Sequence, residues 1–410
     1  MKLWIRMVVG TAVGLILGAY LPVSPGDTLE FMETLAGFAV NLGRYAALPL
    51  LFFGVIIAIH ELRETRTTLK VYGLAAAATV SVSLVTVLFG TLITLLLAPR
   101  RIPPIFQEAF VPRIPNAEAL FQEVFPRNLF AVFADTGDFL LPLMVLAILI
   151  GLVLFHERAS VLPAVDLIDS LARVFYRLNA WILEALSVGL IAISAAWLMR
   201  LRAVPDLQLF APLIWVVTGL SAFFVLIVIP GAVFLMGDRQ NPFNWLYAMI
   251  APTFVAFMSG DSYFAFGTVT RVAKENLGVS REAAAPILSL TTLFAKSGSA
   301  MVVAATFITL LRSYTALEIG FGQVLWIIGG SFLISFVLGR APGATVIVGI
   351  SLLANAYGQG MEGIFLILLP ALPILTGIAV VMDTMTSTAI TFITALRLRK
   401  RRIVDPMDFI

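Results

Sequence analysis

Long apolar runs separated by short charged segments extend along the whole sequence. A helix rises about 1.5 Å per residue, so about 20 apolar residues cross the hydrocarbon core of a bilayer. The pattern therefore predicts eight transmembrane spans and two interrupted pairs of shorter runs. In chain order the predicted parts are 1–70 (spans 1 and 2), 71–98 (span 3), 99–202 (an external segment, then spans 4 and 5), 203–240 (span 6), 241–281 (hairpin 1), 282–312 (span 7, a broken helix), 313–360 (hairpin 2), 361–396 (span 8) and 397–410 (a basic tail).

Two stretches in the last third carry apolar runs that are too short to cross a bilayer. The first, 241–281, is divided at Ser259–Tyr263, and the second, 313–360, is divided at Gly339–Ala344. Such interrupted runs indicate re-entrant helical hairpins, which are tolerated where they are buried in protein or face a water-filled cavity. The order hairpin, span, hairpin, span, with hairpins entering from opposite sides, is typical of transporter inverted repeats, whose sites lie where the repeats meet.

Composition supports a membrane protein. Of the 410 residues, 60% are hydrophobic and 12% are charged, whereas soluble domains carry about 25% charged residues. The fold class is therefore predicted to be an all-α polytopic membrane protein. The small net charge of +3 is spread between the apolar runs, which excludes a nucleic-acid-binding surface and leaves the lipid bilayer as the surrounding partner.

Basic residues at both ends predict the orientation. Five of the six residues in Arg397–Arg402 are basic, and Lys2 and Arg6 lie at the start of the first apolar run. Basic residues concentrate on the cytoplasmic side of membranes. We expect a multi-pass protein of the plasma (inner) membrane that retains its first span and has both termini in the cytoplasm.

The sequence offers little for catalysis or metal binding. It has no cysteine, two histidines and no His-Glu-x-x-His pattern, so neither a metal site nor a catalytic residue is predicted. A serine nucleophile assisted by Lys296 is the enzymatic alternative that composition leaves open.

A lysine stands in the middle of the apolar stretch 282–312, within the sequence Ala295–Ser299. A cation at the centre of a bilayer costs about 2.5 to 3.5 kcal/mol even on lenient scales, so intramembrane charges are candidates for function. Lys296 extends toward the interface, pairs silently inside the helix bundle, or serves a transport site. Asp383, in the last span, either hydrogen-bonds hydroxyl neighbours such as Thr386, pairs with Lys296 or carries a proton.

The centres of the two predicted hairpins also carry charge. Asp261 is predicted to pair with a cation or a solute hydroxyl, or to cap the following helical arm. Arg340 is predicted to bind a carboxylate bidentately beside a helix N-terminus, or to face lipid or a loop. The neighbouring candidates for solute binding are Ser259, Ser262, Pro342 and Gly343.

Three motifs resemble the dicarboxylate/amino acid:cation symporter family, which includes archaeal aspartate transporters and mammalian glutamate transporters. Thr268–Glu275 is similar to the second arm of that family's first hairpin, and Gly339–Ala344 is similar to its second hairpin tip, usually Gly-Val-Pro-Gly. Ala295–Ser299 falls where the family has Asn-Met-Asp-Gly-Thr. The similarity in hydropathy and in the order of parts covers nearly the whole chain.

The resemblance implies an elevator-type, glutamate-transporter-like fold assembled as a homotrimer. Spans 1, 2, 4 and 5 would form a scaffold, and spans 3 and 6, both hairpins and spans 7 and 8 would form a moving transport domain. It also implies that Thr79 lies near a sodium site. It implies no cofactor apart from a coupling ion, either sodium or a proton.

This chain departs from the family at positions that bind sodium and solute. The family's Asn and Asp of the broken helix are Ala295 and Ser297 here, and Leu372–Met382 lacks the charged residues of the family's last helix. We therefore hypothesise that Lys296 replaces a bound cation and neutralises Asp383 or a solute anion. The members of this ion-coupling or charge-substituting group are Lys296, Ser297, Ser299, Asp383 and Thr79.

The predicted function is secondary active transport, by an elevator movement, of a small organic solute with a carboxylate, such as a dicarboxylate or an amino acid. Because the family's carboxylate ligands for sodium are missing, sodium coupling is less expected. Proton coupling and transport without a coupling ion are the alternatives. An anion channel or passive pore on the same fold is the alternative, and saturable counterflow distinguishes a carrier from a pore.

Overall fold

The computed structural model of the chain describes residues 2–22, 27–103, 124–126, 128–134, 139–156, 160–205, 207–314, 319–361 and 363–410. These residues form helices joined by turns, with one isolated antiparallel bridge between Val279 and Arg401. The predicted all-α class is confirmed for this part of the chain. Most of the predicted external segment 99–127, and the polar interruption at 135–138, lie outside the described residues.

Within the described residues, the first half of the chain begins with three closely connected helices. α2 (Asp27–Tyr45) and α3 (Ala47–Glu64) are separated by Ala46 alone, so they form one bent helical stretch. Pro49 lies in the first turn of α3, where a missing N–H breaks no helical hydrogen bond. The helices of this half are α1 Leu3–Tyr20, α2 Asp27–Tyr45, α3 Ala47–Glu64, α4 Thr68–Leu97, α5 Ala131–Ala134, α6 Leu141–His156 and α7 Leu162–Ala203.

The second half contains two helical hairpins and a long helix that is interrupted in its middle. α11 (Ile250–Ser259) packs against α12 (Ser262–Glu275) to form the first hairpin. α15 (Phe321–Ile334) packs against α16 (Thr345–Tyr357) to form the second. A π-helical turn, Phe224–Val228, joins α8 to α9. The helices of this half are α8 Ala211–Phe223, α9 Ile229–Met236, α10 Pro242–Ala248, α11 Ile250–Ser259, α12 Ser262–Glu275, α13 Arg281–Phe294, α14 Ser297–Tyr314, α15 Phe321–Ile334, α16 Thr345–Tyr357 and α17 Leu372–Arg397.

Seven helical stretches of the described residues are long and apolar enough to cross a membrane. They overlap predicted spans 1, 2, 3, 5, 6, 7 and 8. The fourth predicted span corresponds to α6, whose 16 residues fall short of the length that an untilted transmembrane helix needs. The stretches, in order, are Leu3–Tyr20, Thr28–Glu64, Thr68–Leu97, Leu162–Ala203, Leu207–Met236, Arg281–Tyr314 and Leu372–Arg397.

The helices pack in two groups. In the first group, α1 and α2 lie along the long helix α7, and α3 packs against α6 and α7. In the second group, α4, α16 and α17 surround α14, which is buried at every residue from Ser297 to Leu311. The groups meet where α13 packs on α3 and where α11 approaches α1. The most deeply buried helix of the protein is therefore the one that follows the break.

The C-terminal tail is docked on the base of the first hairpin. The ammonium group of Lys400 lies 2.6 Å from a carboxylate oxygen of Glu282, and the backbone N–H of Ile410 donates to the side chain of Asn276 at 3.0 Å. Phe409 stacks on Tyr247 with ring centroids 5.6 Å apart. The basic segment Arg397–Arg402, which predicts the orientation of the chain, thus also forms an ion pair with the start of α13.

A stripe of glycines lets α1 approach α7 closely. Gly10, Gly14 and Gly18 recur at every fourth position and so lie on one face of α1. A Cβ atom added at Gly18 would lie 2.7 Å from the carbonyl oxygen of Ala195, and one at Gly14 would lie 2.9 Å from the Cα of Ile191. This spacing of small residues is typical of close helix packing in membranes.

We expect Gly14→Ala to lower the thermal unfolding midpoint of the detergent-solubilised protein. The added methyl group collides with the α7 backbone, and overpacking of this kind costs about 1–3 kcal/mol. Gly219→Ala is the matched control, because a Cβ atom there meets nothing within 4 Å. Since alanine is the better helix former by about 1 kcal/mol, the control midpoint should stay level or rise. Equal midpoints for the two variants would contradict the proposed α1–α7 contact.

Candidate functional site

The interruption of the long buried helix lies at Ala295 and Lys296. α13 ends at Phe294, Ala295 has φ −89° and ψ 59°, and α14 begins at Ser297. The first N–H groups of a helix have no partner within the helix. Inside a bilayer no water is available to bind them, so a side chain has to satisfy them. The break between the two helices therefore requires hydrogen-bond acceptors for the start of α14.

Asp383 of α17 meets that demand. Its Oδ1 atom accepts hydrogen bonds from the backbone N–H groups of Gly298 at 2.7 Å and Ser299 at 3.0 Å, and its Oδ2 atom accepts from the Ser299 hydroxyl at 2.6 Å. The Ser299 hydroxyl also lies 2.9 Å from the hydroxyl of Thr345 at the start of α16. A carboxylate at a helix N-terminus is stabilised by the helix dipole. Asp383 therefore acts as the cap of α14, although it is only 3% exposed.

Gly298 makes this capping geometry possible. A Cβ atom added there would lie 2.5 Å from the Cβ of Met382, 2.8 Å from the carbonyl oxygen of Ala379 and 3.0 Å from the backbone nitrogen of Asp383. Real Cβ atoms essentially never approach other atoms so closely. Only glycine lets the start of α14 come close enough to α17 for Asp383 to reach its N–H groups.

Lys296 connects the break to the first hairpin. Its side chain is 1% exposed, and its ammonium group donates to the Ser262 hydroxyl at 2.6 Å. Its charge is attracted by the carboxylates of Asp383 and Asp261. Among the described residues, however, it forms no ion pair within 4 Å with either carboxylate. The hypothesis that Lys296 neutralises Asp383 stays a prediction.

The tips of the two hairpins touch each other. Gly260 ends α11 with a left-handed φ of 60°, and Asp261 then caps α12 by accepting at Oδ1 from the N–H groups of Tyr263 and Phe264 at 2.8 and 2.9 Å. The N–H of Ser262 donates to the carbonyl oxygen of Pro342 at 3.3 Å. The Tyr263 hydroxyl donates to a second carbonyl of the opposite tip, at Gly339, at 2.6 Å.

Arg44 of α2 completes the charge arrangement, and the sequence analysis missed it. Its Nε atom donates to Asp261 Oδ2 at 2.8 Å, and its Nη2 atom contacts the same oxygen. The available signal was an arginine within the apolar run 31–59 of span 2, at a depth where charges are rare and functional by default. Asp261 therefore caps α12 and also pairs with the guanidinium group of Arg44.

The other predicted residues divide into those at the junction and those away from it. Gly343 is at the junction, since a Cβ atom added there would lie 3.3 Å from Asp261 Oδ2 and 3.5 Å from Arg44 Nη2. Ser259 is adjacent, because its hydroxyl accepts from the N–H of Asp261 at 3.2 Å. Arg340 lies half-buried in the short 3-10 turn Leu338–Arg340 at the second tip.

The hydroxyl groups around the start of α14 come from two helices. Thr386 of α17 accepts from the Ser297 hydroxyl at 3.4 Å. Thr79 is buried in α4 but donates to Ala75 of its own helix at 2.8 Å. The α4 residue that reaches the break is Thr86, whose hydroxyl lies 3.4 Å from the carbonyl oxygen of Ser297. Thr86 could have been predicted from the sequence, because it lies seven residues after Thr79 and therefore on the same face of the helix.

Two clefts flank the junction of the tips. One, of about 420 Å³, is lined by Asn41, Ser259 and Gly343 among others. The other, of about 580 Å³, is lined by Asn41, Arg44 and Tyr263 among others. Each has room for a small organic molecule; the larger borders Arg44, and the smaller borders Gly260 and Gly343 of the two hairpin tips.

Buried charges at the meeting point of two helical hairpins and a broken helix define the class of a multi-pass membrane transporter. The chain belongs to the sodium:dicarboxylate symporter family, because a model of that family matches residues 3–395. This match confirms the family that the sequence motifs suggested.

A similar protein is a C4-dicarboxylate transport protein of Rhodospirillum rubrum. It is 22% identical over 236 residues, which cover 55% of this chain and 52% of that protein. The chain thus spans about half the length of the relative that it matches.

We expect Asp383→Ala to destabilise the protein strongly. It leaves the backbone N–H groups of Gly298 and Ser299 buried without an acceptor, at about 1–3 kcal/mol each, whereas the Ser299 hydroxyl keeps Thr345 as an acceptor. Asp383→Asn retains an acceptor oxygen and should lose less. The thermal unfolding midpoint in detergent measures both effects, with the exposed Asp166→Ala as the control. A midpoint for Asp383→Ala equal to that of the control would show that Asp383 does not cap α14.

Proposed function

We propose that the protein is a secondary active transporter that carries a small organic solute bearing a carboxylate, either a dicarboxylate or an amino acid. The observation that carries this proposal is the ammonium group of Lys296, buried where the helix break meets the first hairpin tip. The family and the dicarboxylate transport activity in the relative's name support a solute of this chemical class.

The hydrogen bonding of Lys296 suits it to receive a carboxylate. An ammonium group has three N–H donors, and in the described part of the chain one of them is used, toward Ser262. Hydrogen bonds between an ammonium and a carboxylate are roughly twice as strong as neutral ones. Separation of the touching hairpin tips would admit the solute to this ammonium group, with Arg340, Pro342 and Gly343 on the opposite tip.

The proposed transport does not depend on sodium. Asp383, the carboxylate nearest the break in the chain's last helix, directs its oxygens to three donors of α14. Lys296 supplies a fixed positive charge in the same region, with Ser297 in place of the family's acidic ligand. In this proposal the fixed cation takes the role of a bound one, and any coupling ion is a proton.

We further propose an elevator movement in which α4 and α8–α17 slide against a scaffold formed by α1–α3 and α5–α7, in a homotrimer. The support is that helices pack more extensively within each group than between them, together with the family's inverted-repeat organisation. We place both termini in the cytoplasm at the plasma (inner) membrane, on the basis of the basic segment Arg397–Arg402.

Uptake into proteoliposomes tests the role of Lys296. We expect the wild-type protein to take up a labelled C4-dicarboxylate such as succinate equally well with external sodium or choline. Lys296→Met should lower this uptake at least tenfold, because no cation remains to bind the carboxylate. Lys70→Met is the matched control at an exposed position and should transport normally.

Counterflow separates a carrier from a pore in the same vesicles, because only a carrier accelerates uptake when unlabelled solute is loaded inside. Strictly sodium-dependent uptake that Lys296→Met leaves unchanged would refute the charge-substitution hypothesis.

A further inference from the structure

The Arg44–Asp261 ion pair joins the two groups of helices that the proposed function treats as scaffold and moving unit. Arg44 lies in the last turn of α2, which packs along α7. Asp261 lies between the two arms of the first hairpin. A side chain of one body therefore holds a side chain of the other at the solute site itself.

The pair is sheltered from solvent. The Asp261 side chain is 4% exposed and the Arg44 side chain is 25% exposed. Charges interact more strongly in such surroundings than in water, and leaving one of them alone is costly. A second link between the bodies, from Arg281 to Glu61 and Asp169, has side chains exposed by 24–33%. The carboxylate of Asp261 is far more buried than those of Glu61 and Asp169, so water screens the Arg44–Asp261 attraction less.

Neither body needs this contact for its own folding. Asp261 caps α12 through Oδ1, whereas Arg44 binds Oδ2. α2 is attached to α7 by packing and by a separate ion pair between Glu33 and Arg200, with the atoms 2.5 Å apart. The Oδ2 atom of Asp261 is not needed for capping, so its hydrogen bond with Arg44 serves the contact between the two bodies.

The pair is coupled to the solute site through a single residue. Ser262, next to Asp261, accepts the hydrogen bond of Lys296 and donates its N–H to the carbonyl oxygen of Pro342 of the opposite tip. A shift of Asp261 away from Arg44 therefore displaces the partner of Lys296 and the contact between tips together. The cleft of about 580 Å³ that Arg44 lines can supply water to the pair as the two charges separate.

We propose that Arg44 is a positioning residue of the transport cycle, whose ion pair with Asp261 latches the moving unit to the scaffold and opens at each transport step. This inference rests on the proposed function. It requires that holding the two residues together stops transport, and that removing both charges speeds it.

Crosslinking tests the first requirement, because the chain has no native cysteine. Arg44→Cys/Asp261→Cys is joined with a short bis-methanethiosulfonate reagent, and succinate uptake is measured before joining, after joining and after reduction with dithiothreitol. We expect at least a tenfold loss on joining and recovery on reduction. Glu33→Cys/Arg200→Cys, which joins α2 to α7 within the scaffold, is the matched control and should change less than twofold.

The outcomes separate this inference from the proposed function. Full transport by the joined Arg44→Cys/Asp261→Cys protein overturns the latch, while transport itself stands. Absence of uptake by the wild-type protein overturns the proposed function instead.

The neutral pair Arg44→Met/Asp261→Asn tests the second requirement and covers the case in which the cysteine variant fails to fold. Asparagine keeps the cap of α12, so the unfolding midpoint should be preserved. We expect turnover at saturating succinate to rise at least twofold, with KM changed less than twofold, because the latch no longer resists the movement. Unchanged or lower turnover in a folded variant would overturn the latch.

Discussion

A helix that is interrupted inside a bilayer has to satisfy its freed backbone groups without water, and this constraint fixes the centre of the protein. Asp383 supplies the acceptors for the start of α14. Gly298 is required because the carboxylate can reach those N–H groups only if α14 approaches α17 closely. Ser299 and Thr345 then tie the capped end to the second hairpin. The placement of α14, α16 and α17 follows from one capping interaction.

The buried cations are accommodated in two different ways. Arg44 has a direct ion pair, which suits a planar guanidinium that can offer two donors to one carboxylate oxygen. Lys296 has a serine hydroxyl and the more distant fields of two carboxylates. An ion pair that joins two bodies resists their separation, whereas an ammonium group that binds a neutral hydroxyl can exchange it for a carboxylate. The two cations are therefore suited to holding the structure and to binding a solute, respectively.

Membership of the sodium:dicarboxylate symporter family explains the backbone architecture of this chain. It does not explain the individual charges. The family explains the hairpins and the broken helix, because these depend on backbone breaks that many side chains allow. The charges at the break and at the first tip depend on particular residues. By the resemblance given above, Ala295 and Ser297 stand where the family has an amide and a carboxylate. These replacements accompany the Lys296 and Arg44 contacts, so the chain keeps the fold while altering its electrostatics.

The sequence by itself determined the all-helical membrane class and the family, because apolar run length and the spacing of charges act locally. Only the tertiary structure decided the partners. Asp383 caps a helix more than 80 residues away, and Asp261 binds Arg44 across 217 positions. Such pairings depend on how helices pack, since several hydroxyls and carboxylates compete for each donor. Apolar periodicity places a charge on a helix, but packing selects the group that it meets.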